Sequence, residues 1–112
     1  MSHADVQKCV SAVVPCTHLA WPTGKAPVLP WATFILDDSA GMYADNAKYA
    51  TVNDWAVELL EESRDAGVES ALEAALTEAF GPCEVTEAWV EDEQCVQVTY
   101  RFTEIEKEAQ SG

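Results

Sequence analysis

The chain has 112 residues, 48% of them hydrophobic, and sets six Lys and Arg against twenty Asp and Glu, a formal net charge of −14. That is the size of one domain, with enough apolar material for one core, which excludes a disordered chain. The acidic excess argues against gripping phosphate backbones, which takes clustered cations; it suits a chain that repels DNA or docks on a basic partner.

Residues 2–14 read as a helix. Val6, Cys9, Val10 and Val13 recur at helical spacing, Ser2 with Asp5 resembles a cap, and Pro15 stops it. Asp5, Gln7, Lys8 and Ser11 form its exposed face. Residues 15–30 carry four prolines and one glycine. Proline lacks an N–H and disfavours helix in the residue before it, so this stretch reads as a loop. Trp21 within it either pins the loop to the core or faces a partner. Residues 31–36 read as a short apolar strand, Asp37 to Gly41 as a turn, and 42–46 as an irregular or edge segment.

Residues 48–61 are the stretch around which the rest is organised. Read with period two, Tyr49, Thr51, Asn53, Trp55, Val57 and Leu59 lie on one face. Ala50, Val52, Asp54, Ala56, Glu58 and Leu60 lie on the other. This is the pattern of a long strand with one face better buried. A helix is the rival reading, since Val57, Leu60 and Glu61 fall near helical spacing. The Tyr, Thr, Val and Trp content decides for strand.

Glu62 to Asp65 turns the chain. Residues 66–80 then form a helix with an apolar stripe of Val68, Leu72, Leu76, Ala79 and Phe80. Asp65 caps it, Glu69 sits in its first turn, and Gly81-Pro82 ends it. Residues 83–90 and 95–102 read as a β-hairpin with an acidic tip. In its second strand Val96, Val98, Tyr100 and Phe102 face one way, and Gln97, Thr99 and Arg101 the other. Residues 104–112 are polar and expected to fray. The whole reads as a single α+β domain over 1–112: a mainly antiparallel four-stranded sheet with two helices packed on one face. Trp55, Val57, Leu72, Leu76, Val98 and Tyr100 are its expected core.

No apolar stretch approaches the roughly 20 residues that span a bilayer, and no secretion signal stands at the start. Cys9, Cys16, Cys83 and Cys95 are scattered without paired CxxC spacing, so they read as reduced, small apolar residues rather than zinc ligands. Cys16 and His18 are the only Cys/His proximity, and their spacing matches no nucleophile signature. The carboxylate pairs Asp37-Asp38, Glu61-Glu62 and Glu91-Asp92-Glu93 fall at expected turns, where solvated charge is the ordinary state rather than acid–base chemistry. No GxxxxGK or GxGxxG is present. The expectation is no catalytic site, no metal and no cofactor. Four tryptophans, at 21, 31, 55 and 89, exceed the needs of a small core, and the surplus suits interface anchors.

The segments LPWATFIL, MYADNAKYATVNDWAVELLEE, GVESALEAAL and EAWVEDEQCVQVTYRFTEIE, in this order and spacing, resemble a family of small tailed-phage and prophage proteins, the tail terminators or tail-completion proteins. The resemblance covers about residues 28–106 and includes the Ala44-Asp45-Asn46 element and the hairpin from Trp89 to Phe102. It implies a structural protein, not an enzyme, that forms a hexameric ring on the head-proximal end of the tail tube. The implied partners are other copies of the chain, the major tail tube protein and the head connector, with no specific nucleic-acid or membrane binding. The implied location is the virion tail, and the host cytoplasm during assembly. Trp21, Tyr43 and Trp89 are the expected oligomer or partner contacts. Asp37, Asp38, Glu91, Asp92 and Glu93 are the expected acidic lumen or rim. Two departures stand out. The family's helix usually starts with Asp-Pro, where this chain has Asp65-Ala66. Its long strand is often followed by lysines, where this chain has Glu61-Glu62-Ser63-Arg64. The alternative, resting on charge alone, is an acidic regulator that mimics DNA phosphates before a nucleic-acid-binding protein.

Overall fold

The computed structural model describes residues 3–44 and 47–107. Its elements in chain order are α1 (His3–Ser11), β1 (Cys16–His18), β2 (Trp31–Ala44), β3 (Ala47–Glu61), α2 (Ala66–Phe80), β4 (Glu84–Val90) and β5 (Cys95–Lys107). The readings that rest on Ser2, Asp45, Asn46, the Tyr49 side chain and residues 108–112 lie outside the described residues.

The alternation in β3 sets the centre of one sheet, ordered β1-β2-β3-β5-β4. Register places Phe34, Val57 and Tyr100 side by side across three strands, with Ala32, Leu59 and Val98 in the next row. Side chains paired across strands share a face, so this face is continuously apolar. Both helices cover it. Val6 and Val10 of α1 and Leu72 and Leu76 of α2 are fully buried in the same cluster as Phe34, Trp55, Val57, Leu59, Val98 and Tyr100. Phe80 of α2 stacks on Phe102 at 5.0 Å. The Tyr100 hydroxyl donates to the Glu69 carbonyl at 3.1 Å. The expected core is therefore the observed one.

The sheet has five strands rather than four. The additional strand, β1, pairs in parallel with β2 through Cys16↔Ala32, Thr17↔Thr33 and His18↔Phe34. It lies inside the proline-rich stretch read as loop. Cys16-Thr17-His18 contains no proline, so all three residues keep their backbone donors for a ladder. The Gln7 side chain adds a hydrogen bond to the Cys16 carbonyl. A parallel pairing this short depends on β2 being there first, and nothing local announces it. The rest of that stretch is irregular. It crosses the face opposite the helices, where Trp21 meets Trp31 edge-on at 6.0 Å.

Asp37 to Gly41 is not a turn. β2 continues through it to Ala44, paired with β3 and broken by a bulge between Leu36 and Asp38. Likewise 104–107 do not fray but extend β5 along β3 as far as Ala50↔Lys107. The polar side chains that obscured this bond to one another across the strands. Ser39 Oγ donates to Asn53 Oδ1 (2.7 Å), and Asn53 Nδ2 donates to Glu104 Oε1 (2.9 Å). Gly41 serves a close approach, because a Cβ there would stand 2.8 Å from the Tyr43 ring. Beyond Trp55 and Phe102, β2, β3 and β5 thus continue as a three-stranded arm, and the molecule measures 52 × 28 × 22 Å.

Candidate interaction surfaces

Register sorts the arm's side chains by face. Ser39, Asn53 and Glu104 share one row, with Gly41, Thr51 and Glu106 next along the same face. The opposite face carries Ala40, Val52 and Ile105, then Met42. Ile105 is 59% exposed and Tyr43, near the end of the arm, 66%. One arm face is thus polar, and the other passes from the polar row Asp38, Asp54 and Thr103 to an apolar strip.

A second exposed group lies across the sheet on β4. Val85, Glu87 and Trp89 pair with Tyr100, Val98 and Val96, which places them on the helix-covered face, past the helices' reach. Val85 is 44% exposed and Trp89 55%. Trp89 Nε1 donates to Glu91 Oε2 at 2.8 Å, tying the ring to the hairpin turn. Glu91, Asp92 and Glu93 stand exposed on that turn, as expected.

The other expected contacts divide. Tyr43 and Trp89 are exposed but lie on different strands. Trp21 is half-buried against Trp31, pinning its loop to the sheet, and its Nε1 is buried without a partner. Asp37 sits at the β2 bulge, where its Oδ2 accepts from Arg101 Nη1 at 2.7 Å, and Asp38 faces Asp54 across the ladder. The acidic pair expected at a turn is thus built into the sheet, half of it matched by a cation.

Glu61 corrects the sequence reading further. Counted with Glu62 as a solvated turn pair, it is in fact the last residue of β3 and only 1% exposed. The period-two count that puts Trp55, Val57 and Leu59 inward also puts Glu61 inward, and this was the available signal. Its Oε1 accepts from the Asp65 N–H at 3.3 Å. Burial, and then a hydrogen bond to the Glu69 carboxylate, push its carboxyl up to about 7. Glu69 is held below the usual carboxylate range, first by Arg64, whose Nε and Nη2 grip both its oxygens at 2.7 and 2.6 Å. Glu61 Oε2 is buried with no hydrogen-bond partner. Arg64 also reaches Glu87, linking the start of α2 to β4.

Asp65 caps α2, accepting from Gly67 N (3.0 Å) and Val68 N (3.2 Å). No proline follows the cap at Ala66, so this cap carries the helix start. Asp65→Ala is expected to cost about 1 kcal/mol in denaturant unfolding, with no change in the slope against denaturant.

All four cysteines are free. Burial raises every one of these thiols, Cys16 to about 12, away from the thiolate that a nucleophile or metal ligand needs. His18 packs edge-on against His3 at 4.6 Å and tilts over Phe34 at 5.1 Å. Among the described residues no group of three His, Cys, Asp or Glu side chains is placed to hold a metal, and no helix is long and apolar enough to cross a membrane.

No protein-family profile and no curated protein matches this chain. Its fold is similar to that of a chain in the virion of a native gene transfer agent particle, with a TM-score of 0.60 at 14% identity, covering 96% of this chain and 87% of that one.

Proposed function

We propose that this chain is a structural protein of a phage-type particle, a ring subunit that closes the head-proximal end of a tail tube, and not an enzyme. The observation that carries this reading is the shared fold, over 96% of the chain, with a chain of a gene transfer agent virion. The order of sequence segments that resembles tail terminators supports the finer position at the end of the tube.

The surfaces suit such a role. A closed ring needs two different patches on each subunit, one contacting the next copy and one the previous. The arm supplies a protruding patch, with Met42 and Ile105 exposed on one face and Tyr43 exposed near its end, its ring over Gly41 on the other. DNA leaving a capsid must pass such a ring without being held. A lumen lined with Lys or Arg would bind phosphates as counterions leave, and acidic side chains repel the backbone within the roughly 8 Å that salt leaves unscreened. Glu91, Asp92 and Glu93 are the residues we assign to the lumen or rim. Asp37 and Asp38 contribute less, because Arg101 offsets Asp37. The partners on the two faces of the ring would be the tail tube protein and the head connector. The test is whether purified tail tubes recruit the protein to one end, seen as ring-shaped density by electron microscopy.

A further inference from the structure

We propose that the outer edge of β4 is a docking strand, which takes up a basic extended segment of a different protein as an added strand of the sheet. This inference does not depend on the ring.

β4 is the last strand of the sheet and pairs only with β5. Among the described residues no other element lies against it. Alternate residues of an edge strand turn their N–H and C=O groups outward, ready to pair with another chain. Such edges are usually blunted by charged side chains, Pro, a bulge or a covering segment. β4 has only the first, Glu84 and Glu87, and a basic strand would neutralise both. Its seven residues, EVTEAWV, contain no Lys or Pro. Its register runs unbroken from Glu84↔Arg101 to Val90↔Cys95.

The side chains specify what the added strand must carry. On the helix-covered face Val85, Glu87 and Trp89 stand in a row, apolar, acidic, aromatic. Beside them lies a hollow of about 300 Å³ lined by Arg64, Glu87, Ala88, Trp89 and Val96. Strand addition draws affinity from backbone bonds and specificity from side chains that alternate into such hollows. An incoming strand therefore needs apolar residues beside Val85 and Trp89, with a cation between them beside Glu87. Charge sharpens this. The stretch 84–94 carries Glu84, Glu87, Glu91, Asp92 and Glu93 and no Lys or Arg. Arg64 already serves both Glu69 and Glu87, so those three groups together remain negative.

The same charges argue against a second copy as occupant. Antiparallel pairing of β4 with itself about its midpoint sets Glu87 opposite Glu87. Pairing it alongside Asp37 and Asp38 on the outer edge of β2 would likewise set acidic side chains of both strands together. Like charges set directly opposite are destabilising.

The test uses the full chain and a labelled seven-residue Val/Lys peptide, Thr-Val-Thr-Lys-Thr-Val-Thr, matched to the length of β4, whose two Val flank the Lys on one face as the row Val85, Glu87 and Trp89 requires. Three controls accompany it: the same peptide with alternate amides N-methylated, a Val/Glu peptide, and the chain alone at the same concentration. The expected result is saturable binding of the Val/Lys peptide that weakens with salt, with slowed hydrogen exchange at the β4 amides. N-methylation abolishes it. The exposed-site variants Glu87→Lys and Trp89→Ala each weaken it about tenfold while leaving the thermal midpoint near wild type. Equal binding of the N-methylated peptide, or no loss with Glu87→Lys, would overturn the proposal as mere charge attraction. So would self-association through β4 amides in the absence of peptide, or no binding at low salt.

Discussion

Leu76→Ala is expected to lower the unfolding free energy by roughly 2–5 kcal/mol. Leu76 is fully buried and lies one helical turn from Leu72 on the inner face of α2, the two leucines that seat this helix on the sheet. The neighbouring contacts cannot close over the loss easily. Tyr100 is fixed by its bond to the Glu69 carbonyl, and Phe80 is stacked on Phe102. Truncation therefore leaves a cavity as well as losing transfer energy. Chemical denaturation gives the size of the effect, and the thermal midpoint should fall by about 4 °C or more per kcal/mol. Ala74→Gly on the exposed face of the same helix is the control, expected to cost only about 1 kcal/mol from helix propensity. If Leu76→Ala cost no more than Ala74→Gly, α2 would not be packed on the sheet as described.

Glu61→Gln is expected to raise stability above neutral pH and to flatten its dependence on pH. The folded carboxyl is raised from 4.5 to about 7. The folded state therefore holds this proton more tightly than the unfolded state. Its stabilising contribution is fully present below about 4.5 and is lost as pH rises through about 7. The steepest loss is about 1.4 kcal/mol per pH unit for one proton, on the order of 3 kcal/mol in all. Glutamine reproduces the protonated carboxyl, since it can accept from the Asp65 N–H and donate to Glu69 at every pH. Glu69 works in the opposite sense and in a separate window. Arg64 lowers its carboxyl, so its contribution is lost as pH falls below the ordinary carboxylate range. Urea unfolding across the pH range separates the two. A Glu61→Gln variant with the wild-type slope between pH 4.5 and 7 would show that Glu61 is not the proton-holding group.

What the sequence disclosed was local, and what it hid was pairing. The alternation of Trp55, Val57 and Leu59, the stripe of Val68, Leu72 and Leu76, and the hairpin around Glu91 each announce themselves within a few residues, and each is where expected. β1 is three residues that become a strand only because β2 offers an edge. The arm was masked by Asp37, Asp38 and Ser39, which read as turn chemistry until Asn53 and Glu104 lie beside them. One indication was present: a β3 of some fifteen residues cannot be satisfied by a six-residue neighbour, so its length already demanded longer partners. The surfaces were half legible. Exposed Tyr43 and Trp89 follow from too many aromatics for one core. The pinning of Trp21 depends on how a loop folds back onto Trp31, which spacing does not encode. Glu61 was misjudged because a charge beside a turn is normally solvated, whereas here strand periodicity carries it under the start of α2.

Electron microscopy of purified tail tubes mixed with this protein, with a Tyr43→Asp variant as control, tests the ring at the tube end most directly. Ring-shaped density is expected at one end of each tube only, reduced by Tyr43→Asp, with no binding of duplex DNA at low salt. A protein that leaves both tube ends bare, coats the tubes along their length, or binds duplex DNA tightly would contradict it.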